Sequence, residues 1–102
     1  MQRRKVIILP QVRDDLKEII SFITSKTSEY NALRYADELL FEIDSLSYMA
    51  DVLSPTESET IKRIHPEAKK MITNNKKWNI IFHVTNNYVF VDKILPSKMI
   101  ID

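Results

Sequence analysis

The sequence predicts an α+β domain: an N-terminal strand, an αα-hairpin, then three antiparallel strands, with both helices packed on one face of a small sheet. Three observations predict it. Apolar residues between Val12 and Leu46 recur at helical spacing. Trp78–Val84 and Tyr88–Leu95 alternate in the manner of half-buried strands. Asn86-Asn87 stands between those two runs as a turn.

Lys5–Leu9 is a short apolar run that ends at Pro10, and it reads as the first strand. Proline lacks the ladder donor but suits the first turn of a helix. From Gln11 to about Ser25, Val12, Leu16, Ile19, Ile20 and Ile23 form one stripe, with Asp14 and Asp15 placed in the first turn. Lys26-Thr27-Ser28 breaks the pattern, and Ser28 suits the N-cap of a second helix. That helix runs from about Glu29 to Tyr48 and offers Leu33, Ala36, Leu39, Leu40, Ile43 and Leu46. Ala50–Thr60 is polar, contains Pro55, and reads as a loop. Ile61–His65 and Ala68–Thr73 read as strand interrupted by Pro66.

A two-residue turn at Asn86-Asn87 sets a register for the last hairpin. Val84 faces Val89, Phe82 faces Val91 and Trp78 faces Leu95, an oily face broken only where Ile80 meets Lys93. The other face pairs His83 with Phe90, Ile81 with Asp92 and Asn79 with Ile94. The helices cover the oily face, so Asn79 and His83 are expected on an open one. Such polarity suits an RNA-handling surface, a partner-binding surface, or ordinary contact with solvent.

The totals exclude several classes. With 102 residues there is room for one compact domain, spanning 1–102. Lys and Arg number 15 and Asp and Glu 14, a net charge of +1, which by itself demands no nucleic acid. There is no cysteine, so disulfides and thiolate metal sites are excluded. Two histidines with no helical His pair argue against zinc. Glycine is absent too, so no Gly-rich phosphate loop exists and turns must use Asn, Asp, Ser or Pro. The Asn pairs at 74–75 and 86–87 are the turn candidates, since Asn tolerates positive φ. No apolar run approaches the ~20 residues that span a bilayer, and Val6–Leu9 is too short for a signal-peptide core.

Three stretches carry a family resemblance. They are PQVRDDLKEIISFI (Pro10–Ile23), ALRYADELLFEIDSL (Ala32–Leu46), and KWNIIFHV followed by YVFVDKILPSKM (Tyr88–Met99). In this order and spacing the chain resembles the RelE/ParE superfamily of bacterial type II toxins. The resemblance implies a small cytoplasmic toxin, a plasmid-stabilisation type of system, and a cognate antitoxin as partner. RelE-like members cut mRNA on the ribosome without a metal or other cofactor; ParE-like members inhibit DNA gyrase. A chain that now only binds its antitoxin is a third possibility. Where the family strand usually carries two arginines, this one has Asn79 and His83, and the closing run is Pro96, Ser97, Lys98 and Met99.

Metal-free RNA cleavage needs a proton acceptor for the 2′-OH, a donor for the leaving oxygen, and positive charge beside the phosphorane. His83 is the candidate base. Asn79 and Lys98 are candidate catalytic partners, and Asp92 is placed to orient the ring. Lys69, Lys70, Lys76, Lys77 and Arg63 are candidate RNA contacts. Arg63 and His65 lie just before Pro66 and are expected near the same face. Each residue also has a structural alternative: a half-buried polar histidine, solvated lysines, and a core Trp78.

Overall fold

The computed structural model describes residues 3–99. Strand β1 (Lys5–Ile8) leads into helix α1 (Pro10–Lys26) and helix α2 (Glu29–Asp44), followed by a single turn, α3 (Leu46–Met49). A second short helix, α4 (Glu59–Lys62), precedes strands β2 (Lys69–Ile72), β3 (Trp78–Val84) and β4 (Tyr88–Pro96), and a 3-10 turn at Ser97–Met99 follows. The sheet order is β1-β4-β3-β2, with β1 parallel to β4 and the last three strands antiparallel. The α+β class and the hairpin-then-sheet order expected from the sequence are present. No described helix is long and apolar enough to cross a membrane.

The αα-hairpin forms where its signals lie. Thr27 N–H closes the end of α1 on Ile23 O at 2.8 Å, and the Ser28 hydroxyl accepts Asn31 N–H at 3.1 Å to start α2. Helix α1 begins at Pro10, so Asp14 and Asp15 fall in its second turn rather than its first. Asp15 instead meets β4, accepting from Lys93 Nζ at 2.9 Å. Helix α2 ends at Asp44, short of the expected Tyr48.

The buried face of α2 differs from the expected stripe. Ala32, Ala36, Leu39 and Ile43 are buried, whereas Leu33 and Leu40 are exposed. Two alanines on the inner face let the helices approach closely, and that rotation turns the larger leucines outward. The main core joins Val12, Leu16, Ile19, Leu39, Ile43 and Leu46 to Ile80, Phe82, Val89, Val91 and Ile94 on the sheet. Full burial of each such side chain stabilises the fold by about 1.5–3 kcal/mol before the entropy of ordering is subtracted.

The β3–β4 register follows expectation beside the turn, with Phe82↔Val91, His83↔Phe90 and Val84↔Val89. Beyond that it shifts by one: Ile81 meets Lys93 and Ile80 meets Ile94. Asp92 is the extra residue of a β-bulge. The bulge removes the one defect of the uninterrupted register, since Ile94 rather than Lys93 now lies across from Ile80.

The sheet face away from the helices is covered, against expectation. Ile61–His65 is not strand. Ser58 Oγ accepts Ile61 N–H at 3.3 Å, Glu59 occupies the first turn, and a helical turn forms. Ile61 and Ala68 then pack on Ile81 and Leu95 as a second, smaller core. Residues 73–77 turn the chain from β2 to β3, and there the positive φ falls on Lys76 (63°), not on either asparagine.

Candidate functional site

The candidate site lies on the second face, at the turn end of the β3–β4 hairpin. Phe82 and Val84 point into the main core. Strand alternation therefore puts His83 on the opposite side. Its Nδ1 lies 2.7 Å from Asp92 Oδ2, with the two side chains 16% and 7% exposed. The bulge at Asp92 aims that carboxylate at the ring, so the expected partnership of His83 with Asp92 exists although its register was misplaced. A hydrogen bond with a charged partner contributes about 1.5–3 kcal/mol, more than a neutral one.

His65 completes the cluster. It follows α4, held by His65 N–H to Ile61 O at 3.3 Å and by Ala68 N–H to His65 O at 3.1 Å. Its ring stacks on His83 with centroids 3.8 Å apart and planes 2° from parallel. Phe90, across the ladder from His83, stacks at 5.1 Å, and Tyr88 lies 5.9 Å beyond Phe90. His65 Nδ1 accepts Glu67 N–H at 3.1 Å. From the sequence His65 was expected only near this face; the apolar Ile61 and Ala68 that bracket it were the available sign of a segment folded onto the sheet.

The remaining expected residues do not gather here. Asn79 is 2% exposed, beneath the surface rather than on an open face, and its Oδ1 has no hydrogen-bond partner among the described residues. Lys69 lies on the helix side of β2 and donates from Nζ to Ala50 O at 3.0 Å, so its charge is turned away from His83. Lys70 pairs with Ile81 in register and is half-buried on the His83 side. Arg63 is exposed on the covering segment. Lys76, Lys77 and Lys98 are exposed at the far end of the hairpin, where Ser97 N–H bonds Lys77 O at 2.9 Å. Six strand residues at ~3.3 Å each separate Lys77 from His83, roughly 20 Å. The expected single basic rim is thus two separate features, an imidazole pair at one end and exposed lysines at the other. Among the described residues no cluster of three or more His, Asp or Glu could hold a metal ion.

A second feature lies on the helix side. Phe22, Ile23, Lys26, Tyr35, Lys77 and Trp78 line a groove of about 370 Å³. Phe22 and Trp78 also line a neighbouring groove of the same size that runs towards Lys93 and Pro96. Phe22, Tyr30, Leu33 and Phe41 are exposed on the helical hairpin, Phe41 by 77%.

Chemically, the Asp92 carboxylate fixes the imidazole of His83 through Nδ1 and leaves Nε2 to exchange a proton, the arrangement of a base held by an orienting group. No family model matches the chain, and no curated protein matches it. Eight chains of solved structures do. One, titled "Chromosomal ParDE TA system from P. aeruginosa", superposes with a TM-score of 0.78 at 14% identity, covering 92% of this chain and 96% of that one. The likeness shows a shared fold.

Proposed function

We propose that this chain is the toxin of a type II toxin–antitoxin pair, held inactive by an antitoxin and arresting growth from the cytoplasm when released. The fold it shares over 92% of its length with a chain of a ParDE system supports this reading. So does the helix-side groove, whose lining includes Phe22 and Trp78 together with Lys26 and Lys77 and no carboxylate. An acidic, amphipathic antitoxin segment that orders on binding is the partner this surface suits. Phe22→Glu adds a like charge to the segment and removes an exposed ring, so it should weaken antitoxin capture tenfold or more while leaving the melting temperature unchanged.

For the mode of arrest, the His83–Asp92 pair at 2.7 Å supports metal-independent cleavage of mRNA on the ribosome. His83 would accept the 2′-OH proton, with Asp92 holding the ring and steadying the imidazolium. A second reading, inhibition of DNA gyrase by binding alone, is favoured by the fold shared with a chain of a ParDE system and by the separation of Lys76, Lys77 and Lys98 from the imidazoles.

Expression of the chain with and without its antitoxin separates the two. Cut mRNA with normal supercoiling, abolished by His83→Ala, supports cleavage. Intact mRNA with stalled gyrase and an SOS response supports binding, and a His83→Ala chain that stays fully toxic removes His83 from the catalytic role. A chain harmless without any partner refutes the toxin reading.

A further inference from the structure

The two histidines make different hydrogen bonds at Nδ1. His65 Nδ1 accepts a hydrogen bond from Glu67 N–H, so that nitrogen carries no proton and the neutral ring bears its proton on Nε2. His83 Nδ1 faces a carboxylate acceptor, so it bears the proton there and leaves Nε2 as a lone pair. One ring of the stack thus offers an acceptor and the other a donor at the same ring position. Their centroids are 3.8 Å apart. At that separation the two rings are close enough for one phosphodiester to reach both.

We propose that His65 is a second catalytic residue of the RNA-cleaving reading, a neutral imidazole whose Nε2–H hydrogen-bonds a non-bridging oxygen of the scissile phosphate. The proposal rests on that reading. It also gives the site a donor where Asn79 is buried and the exposed lysines lie far away.

The proton balance sets the two roles apart. His83 Nε2 takes the proton of the 2′-OH as the O2′–P bond forms, and the resulting imidazolium is stabilised by Asp92. The same ring then delivers that proton to the 5′-oxygen as the O5′–P bond breaks. A 2′,3′-cyclic phosphate and a 5′-hydroxyl result, and His83 returns to its starting state. His65 keeps its proton throughout, because a neutral imidazole that gave it up would become an anion. Its part is to meet the charge that develops on the phosphorane with a donor already fixed in place. The bond from Glu67 N–H and the stack on His83 fix it, while Arg63 lies on the covering segment and Lys70 on the His83 side of β2.

The test uses the full chain, released from its antitoxin, on two probes: an mRNA on a stalled ribosome and the same RNA free. His65→Phe keeps a flat ring on His83 but has no donor; His65→Gln keeps an N–H without an imidazole. Loss of one such donor costs roughly 10²–10³-fold in turnover, so His65→Phe should fall by that factor with substrate binding little changed. His65→Gln should recover at least tenfold of it. The pH–rate profile should keep its shape in His65→Phe, since the donor transfers no proton during turnover. Circular dichroism establishes that each variant is folded, and a His65→Phe chain that unfolds is replaced by His65→Tyr blocked from donating by O-methylation. Wild-type chain that cuts while His65→Phe cuts equally well refutes the role of His65 and leaves the cleavage reading standing. Loss of a limb of the profile in His65→Phe refutes the neutral donor, for it makes His65 the titrating acid. Wild-type chain that leaves both RNAs intact refutes the cleavage reading and this inference with it.

Discussion

Tyr35→Phe removes one hydroxyl, and the structure sets what that loss should cost. The oxygen accepts Trp78 Nε1–H at 2.6 Å and Asn75 Nδ2 at 2.9 Å. Asn75 is exposed, so water takes over its bond at little cost. Trp78 is half-buried and its indole nitrogen can only donate. Leaving such a donor unpaired costs about 1–3 kcal/mol. A central value near 2 kcal/mol, at about 4 °C per kcal/mol for a domain of this size, lowers Tm by roughly 8 °C. Trp78 is the chain's one tryptophan, so its emission reports directly on the bond that is lost. The assay is a thermal melt followed by far-ultraviolet circular dichroism, with tryptophan emission at low temperature as the local reading. In a Trp78→Phe background the same change should cost under about 1 kcal/mol, because the partner is already absent. A Tyr35→Phe chain that melts within about 2 °C of the wild type refutes the claim that this hydroxyl ties the β2–β3 turn to α2.

Other outcomes follow from the fold. Ile61→Ala empties most of the small second core, and buried Ile→Ala changes cost about 2–5 kcal/mol; amide exchange should rise first in residues 57–68 while α1 and α2 stay protected. Equal loss of protection in the helices would contradict a separate second core. Lys76→Gly should stabilise the chain by about 0.5 kcal/mol, since left-handed backbone costs a side-chain-bearing residue about 1–2 kcal/mol and glycine's extra unfolded freedom returns about 0.5–1 kcal/mol. Chemical denaturation measures this difference, and a destabilised Lys76→Gly would show that the lysine side chain itself contributes.

Much of this architecture is legible in the residues. Period and punctuation place both helices, because Pro10 and Ser28 act locally on the backbone beside them. The β3–β4 hairpin is legible for the same reason: its turn and its alternation are neighbours in sequence. Its bulge is less so. A lysine set against Ile80 in an otherwise oily row was its visible sign, and a one-residue insertion at Asp92 is the physical remedy. The inner face of α2 went astray because hydrophobicity alone ranks Leu33 above Ala32, while close helix packing prefers the smaller side chain. The cover over the second face depends on Ser58 as a cap and on only two apolar contacts, Ile61 and Ala68, too few to set a period. Consequently the surroundings of His83 are only partly legible: alternation brings Asp92 within reach, but Asn79 is buried rather than at the surface, and the stacking of His65 has no signature in local sequence at all.

The parallel pairing of β1 with β4 has a consequence for synthesis. Lys5 lies beside Tyr88 and Ile8 beside Val91, so β1 leaves the ribosome 83 residues ahead of its hydrogen-bonding neighbour. The αα-hairpin can form as it emerges, from contacts close in sequence, but the sheet it must cover cannot close until β4 is made. Throughout translation the nascent chain therefore carries oily helix faces with nothing opposite them. A chain broken off before Tyr88 would lack β4 and Asp92, and so could neither orient His83 nor bury those faces.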